Sequence, residues 1–368
     1  MNEGFPENNL VLPAEWEPQW GVQLTWPHED SDWNPYLKEI TATYIEMARA
    51  ITRYEMLLVV APDVELVRQQ LSEAEIDLQK VVFHQCPTND TWARDHGFIT
   101  CGVRSVECGI RNVECGVRLL DFQFNGWGKK FEAEKDNAIN KSLYPTLSSL
   151  LTPYSSLHEY ESHLDFVLEG GSIESDGRGT IFTTTDCLLA PNRNQPLTQQ
   201  EIEEELKRRL HAERVLWIDY GHLEGDDTDG HIDTLVRIAP DDTLLYIGYD
   251  DQTDPHYEDL KKMEQQLTTF RTIEDKSYRL LKLPMPDPIY ERGEMKDERG
   301  ERLPATYANF LIINGAVLVP IYQQPEKDKE AIRIIQEAFP DREMIPIDSR
   351  TIIRQHGSIH CCTMQFPK

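Results

Sequence analysis

The sequence is short of positive charge, of long apolar stretches and of linkers. Its 368 residues hold 37 Lys and Arg against 64 Asp and Glu, for a formal net charge of −27. Such a surface repels nucleic acid and anionic membrane and favours cationic small molecules nearby, although acidity also serves solubility alone. No apolar run approaches the ~20 residues of a membrane-spanning helix, and Met1–Leu12 has neither the basic start nor the apolar stretch of a signal peptide. A soluble cytoplasmic protein is the expectation. No Ser/Gly-rich or Pro-rich stretch divides the chain, so a single domain over residues 1–368 is expected. The 7 cysteines are odd in number and lack secreted-scaffold spacing, which favours reduced thiols over disulfides.

What the chain does have is concentrated chemistry. Gly357-Ser358-Ile359-His360-Cys361-Cys362 sits close to the C-terminus, and a thiol in a Gly/His-containing loop is where a nucleophile stays reachable. Such a thiol needs a proton handler and orienting carboxylates, which can lie far away in sequence. Thr91-Trp92-Ala93-Arg94-Asp95, Leu168-Glu169-Gly170-Gly171 and Asp226-Asp227-Thr228-Asp229-Gly230-His231-Ile232-Asp233 supply candidates. Each has a duller reading. The acidic run could be a solvated turn or a divalent-metal cluster, Cys362 could replace Cys361, and Trp92, Trp26 and Trp33 could be core aromatics. His360 reads as a loop-shaping residue.

Strand-like and helix-like segments alternate along the chain. Ile40, Tyr44, Met47 and Ile51 lie at helical spacing within Pro35–Tyr54, and Leu57–Val60 reads as a buried strand. Thr198 and Glu201 predict a capping box for a helix that leads to the strand Val215–Ile218. Asp328–Phe339 reads as a helix stopped by Pro340. Asp176-Gly177, Asp241-Asp242 and Asn314-Gly315 predict hairpin turns. The polar motif positions Asp95, Glu169, His231, Asn309 and Cys361 recur at intervals between 361 − 309 = 52 and 309 − 231 = 78 residues, as a radial array of similar modules would require. One segment departs from this pattern. A seven-residue unit opens at Cys101, Cys108 and Cys115, a spacing that fits no common metal site and predicts a duplicated surface hairpin.

Together with Leu12-Pro13-Ala14-Glu15-Trp16, Leu24-Thr25-Trp26-Pro27-His28, the run from Asp121 to Gly128, and Tyr307-Ala308-Asn309-Phe310, these strings resemble the agmatine deiminase family. That family lies in the guanidine-modifying pentein superfamily with arginine and peptidylarginine deiminases. The resemblance implies an α/β fold of the five-bladed propeller type, with pseudo-fivefold repeats. It implies hydrolysis of agmatine to N-carbamoylputrescine and ammonia, with free arginine or peptidyl-arginine as alternative substrates. Cys361 matches the nucleophile that forms an amidino-thioether, and His231 matches the general acid/base. Asp95 and Asp233 match the pair that clamps the guanidinium, and Glu169 the carboxylate that holds the histidine. Trp92 is the candidate to stack on the substrate. No cofactor and no metal are implied, the partner is a small cationic guanidine, and self-association is left open. A metal-dependent hydrolase or a non-catalytic relative are the competing classes.

Overall fold

A computed structural model describes residues 10–103, 116–151, 157–291 and 300–368. Its architecture is one module used five times: an antiparallel hairpin, a crossover helix, and a third strand parallel to the second strand of the hairpin. Crossovers between parallel strands need a dozen or more residues, and a helix is the usual solution. The second module pairs Ile99–Val103 with Gly116–Gln123 and adds Leu157–Val167 after the helix Ile139–Leu151. The third pairs Ile173–Ser175 with Thr180–Thr184 and adds Arg214–Ile218 after Gln199–Arg209. The fourth uses Val236–Ala239, Thr243–Ile247 and Arg279–Leu283, with the helix Tyr257–Thr269. The fifth uses Leu311–Ile313, Ala316–Ile321 and Glu343–Asp348, with Pro325–Ala338.

The first module is built from both chain ends. Thr363–Pro367 runs antiparallel to Gln19–Thr25, which lies parallel to Met56–Ala61 across the helix Leu37–Tyr54. A further parallel strand, Val81–Gln85, extends this sheet outward. Pairing the last strand with the first sheet closes the array. It also carries the Cys361 loop, which directly precedes Thr363, into the middle of the molecule.

Local chemistry explains the elements. Ile40, Tyr44, Met47 and Ile51 form one wholly buried stripe on Leu37–Tyr54, and Leu57–Val60 is buried on both faces, as a parallel strand between covering layers should be. The capping box at Thr198 is formed in both directions with Glu201. The last helix starts at Pro325, three residues ahead of the predicted Asp328, because proline suits the first helical turn. Among the described residues, no helix is long and apolar enough to cross a membrane.

Cys101 lies within the strand Ile99–Val103, paired opposite Arg118 and wholly buried. The hairpin is as expected, but Cys101 is a core residue of it and not a surface one, because the alternation of side chains along a strand turns it inward. Cys108 and Cys115 lie outside the described residues.

Candidate active site

In every module the segment just ahead of the hairpin points to the common centre, and five such segments form a closed ring. Asp95, in the short helix Ala93–His96, accepts the amide of Gly171 through Oδ1 at 3.0 Å. Gly171 lies against His231: a Cβ added to the glycine would stand 2.6 Å from His231 Nδ1, 2.9 Å from Asp95 Oδ1 and 3.2 Å from Asp233 Oδ2. Only glycine lets these groups converge. Asn309 Nδ2 donates to the carbonyl of Asp233 at 3.3 Å, and its Oδ1 accepts the amides of His360 at 3.0 Å and Cys361 at 3.3 Å. The amide of Arg94 donates to the Cys361 carbonyl at 3.1 Å and completes the ring.

The Cys361 thiol is 3.7 Å from Asp233 Oδ2 and 3.4 Å from Asn309 Oδ1. His231 Nδ1 lies 3.7 Å from Asp95 Oδ1, and the Cys187 thiol faces the ring as well. Asp95 Oδ2 accepts the Trp127 indole N–H at 2.9 Å. Asp233 Oδ2 meets His360 Nδ1 at 2.7 Å, whereas its Oδ1 is buried and unpartnered. An orphaned carboxylate oxygen beside a thiol is a place prepared for a cationic donor.

Burial dominates the electrostatics. It pushes Asp95 up to about 6, against the opposing charge of His231 and with Asp233 adding to the rise. Burial alone would make His231 less basic, but the charges of Asp95 and of the neighbouring Cys187 outweigh it and raise the imidazole to about 10. Burial likewise favours neutral Asp233, yet the hydrogen bond and charge of His360 hold it below the usual carboxylate range. Burial, then the charges of Asp233 and Asp95, keep the Cys361 thiol well above its ordinary value. The resting arrangement is thus a protonated imidazole, a protonated thiol and carboxylates that need a cation.

Access is through a cavity of about 210 Å³ that reaches Cys361 and Asp95. Trp92, Trp127 and Phe131 form its apolar walls, and Asp32, Asp90 and Asp227 add carboxylates, of which Asp90 accepts the indole N–H groups of Trp33 and Trp92 at 3.0 Å each. Its described lining contains no Lys or Arg. Lys130, nearby, is committed to Asp229 Oδ1 at 2.7 Å and to the carbonyl of Asp227. Gly357 lets Trp92 pack against the loop, since a Cβ there would stand 2.1 Å from the indole ring.

The sequence-predicted residues fall into two groups. Cys361, His231, Asp95 and Asp233 meet directly. Glu169 stands behind them, wholly buried, its carboxylate within 4.8 Å of a His231 nitrogen and the Cys187 thiol. Its hydrogen-bond partner is Arg193, whose Nε donates to Oε1 at 3.1 Å and Oε2 at 3.3 Å. Of the acidic run, Asp227 lines the cavity, Asp229 pairs with Arg193 and Lys130, and Asp226 ties down its own loop by accepting the amide of Gly230. Trp92 is a cavity wall, and Trp26 and Trp33 are core.

Ile232–Thr234 is a 3-10 turn and the strand begins only at Val236, so His231 and Asp233 lie ahead of the strand. The turn curls both toward the centre. His360 is not merely a loop-shaping residue, because both of its ring nitrogens meet carboxylates. Arg193 was missed altogether; its only sequence signal is a polar Asn192-Arg193-Asn194 run.

Two clusters carry donors that metals accept: Glu169 with Cys187 and His231, and Glu15 with Glu174 and His360. Each already meets a guanidinium. Arg193 sits on Glu169, and Arg237 Nη2 and Nε bond Glu15 at 2.9 Å and Glu174 at 2.5 Å. A divalent ion at either place would face a fixed positive charge.

The fold and sequence have known counterparts. A Cys-to-Ser variant of the C. jejuni agmatine deiminase with substrate bound is 36% identical, with 98% of this chain and 96% of that one matched at a TM-score of 0.82. The Enterococcus faecalis agmatine deiminase is 27% identical, with 100% and 99% covered and a TM-score of 0.85. A Porphyromonas gingivalis protein provisionally named an arginine deiminase is 43% identical over 98% of both chains, with a TM-score of 0.84. Residues 11–367 match the family model described as Porphyromonas-type peptidyl-arginine deiminase, and with nearly its whole length so matched, the chain belongs to that family.

Proposed function

We propose that this protein is an agmatine deiminase that forms an amidino-thioether on Cys361. Asp95 and Asp233 grip the planar guanidinium, and Asp233 Oδ1, buried without a partner, is one acceptor available to it. The arriving cation offsets the carboxylate charges that keep the thiol protonated, which favours the thiolate when substrate is in place. Sulfur then adds to the guanidinium carbon. His231 protonates the departing nitrogen, the C–N bond breaks, and ammonia leaves. The imidazole, now neutral, takes a proton from water as the water adds to the same carbon; the C–S bond breaks, the hydroxyl proton passes to the departing sulfur and N-carbamoylputrescine is released, while the proton first lost by the thiol leaves with ammonia as ammonium. Glu169, held by Arg193, keeps the imidazole oriented. In this reading residues 1–368 act as one catalytic domain, with no cofactor or metal, and a reducing cytoplasm suits the thiol.

The observation that carries the choice of agmatine is the charge of the cavity lining. Asp32, Asp90 and Asp227 line it with no Lys or Arg among the described residues, and His356, which also lines it, lies 3.9 Å from Asp227 Oδ2; the surplus of carboxylates suits a second positive charge and opposes the carboxylate of arginine. The small volume and aromatic walls favour a free small molecule over a peptide. The test is a comparison of agmatine, arginine and a peptidyl-arginine under identical conditions. We expect kcat/KM for agmatine to exceed that for arginine by about a hundredfold or more, the scale at which buried polar mismatches discriminate. Equal or better turnover of either competitor would overturn the substrate assignment.

A further inference from the structure

On the side of Asp233 away from the cavity lies a buried charged chain that the proposed chemistry does not use. His360 is 1% exposed, with Nδ1 2.7 Å from Asp233 Oδ2 and Nε2 2.6 Å from Glu15 Oε2. A neutral imidazole has one N–H, so it would aim a lone pair at one of these oxygens. Glu15 cannot turn away. Its Oε1 accepts the amide of Ile312 at 2.8 Å, and its Oε2 accepts Arg237 Nη2 at 2.9 Å. The remaining charged neighbours are Glu174, bonded by Arg237, and Arg94, whose Nη2 lies 3.9 Å from Glu15 Oε2 and whose Nε donates to the His360 carbonyl at 3.4 Å. Three carboxylates (Asp233, Glu15 and Glu174) face two guanidiniums (Arg94 and Arg237), while the His231 and Asp95 charges that also act on Asp233 offset one another. One further positive charge makes the cluster neutral, and His360 is the group placed to carry it.

We infer that His360 is a positioning residue for the proposed reaction: held as an imidazolium between Glu15 and Asp233, it fixes Asp233 as an anion whose free oxygen is reserved for the substrate. The inference rests on the reading of Asp233 as a guanidinium acceptor. Glu15 becomes the remote end of the device, supplied by the N-terminal segment, while His360 and Asp233 come from the first and fourth modules. The hydrogen bond and charge from His360 are what keep Asp233 ionised despite complete burial. Asp233 Oδ2 is also the oxygen nearest the Cys361 thiol, so its charge and orientation bear on both substrate and nucleophile.

The ring state can be read without turnover. With 15N-labelled histidine, the wild-type His360 resonances at pH 7.5, assigned by their loss in His360→Asn, should show two protonated nitrogens. In Glu15→Gln they should revert to a neutral tautomer. Neutral His360 in the wild type overturns the inference whatever the substrate proves to be. In kinetics, Glu15→Gln and His360→Asn should each raise KM for agmatine about tenfold with a smaller change in kcat. The double variant should be no worse than the more impaired single one, since both cut the same chain. Additive losses, or an unmoved KM in variants whose melting temperatures match the wild type, would also overturn it. A wild type that processes no guanidine would count against the functional reading alone, the spectra still deciding the state of His360.

Discussion

Arg94 and Cys361 are joined through their backbones, the amide of Arg94 donating to the carbonyl of Cys361 over 3.1 Å. This bond links the second module to the first and fixes the carboxylate of Asp95 relative to the thiol, although the two segments come from opposite ends of the chain. Placing such distant residues together is what a closed ring of modules accomplishes. The predictions below test what the ring positions.

The pH dependence follows from two shifted groups. Asp95, raised to about 6, must be ionised to hold a guanidinium, so activity should grow as pH rises through about 6. His231, raised to about 10, must be protonated to deliver ammonia, so activity should fall as pH rises through about 10. A profile of kcat at saturating agmatine, where the bound cation already favours the thiolate, should therefore be a broad bell with its limbs on either side of neutrality. A descending limb near pH 7 would mean that His231 is not the acid, or that its carboxylate neighbours do not act as described.

Arg193 should be a structural necessity. Its guanidinium is inaccessible and bonds both oxygens of Glu169, Asp229 Oδ2 at 2.7 Å and the carbonyl of Thr228 at 2.7 Å. Arg193→Met leaves Glu169 charged, buried and uncompensated, which should cost about 3–5 kcal/mol in urea unfolding and suppress turnover. A loss below about 1 kcal/mol would show that Glu169 is not held by charge pairing.

Cys101 is expected to matter for packing and not for chemistry. Its thiol is enclosed in the core and, among the described residues, donates to the Leu210 carbonyl at 3.8 Å. Cys101→Ser should lower stability by about 1–2 kcal/mol while leaving kcat at low temperature unchanged. Loss of kcat without loss of stability would point to a role in the site.

Much of this was legible in the sequence because it is local. Turn residues at Asn314-Gly315, the stripe from Ile40 to Ile51 and the Thr198 capping box each encode an element within a few positions. Cys361, His231, Asp95, Asp233 and Glu169 stood out as chemistry-bearing residues in loop-like strings, and their roles came from the resemblance to the agmatine deiminase family. What was not legible depends on distant pairing. Glu15 bonds His360, and Arg193 bonds Glu169 and Asp229, through contacts fixed only when the modules close on one another. The 3-10 turn at Ile232–Thr234 was hidden for a different reason, since a short apolar-polar alternation reads equally well as a strand start.

The central claim is that Cys361 attacks the guanidinium carbon of agmatine. The most direct measurement is rapid acid quenching during turnover of agmatine labelled with 13C at that carbon, followed by mass spectrometry of the C-terminal peptide. The account predicts a labelled amidino adduct on Cys361 that disappears in Cys361→Ser, a variant that should still bind substrate. Label on Cys362, or turnover with no protein-bound carbon at any quench time, would contradict it.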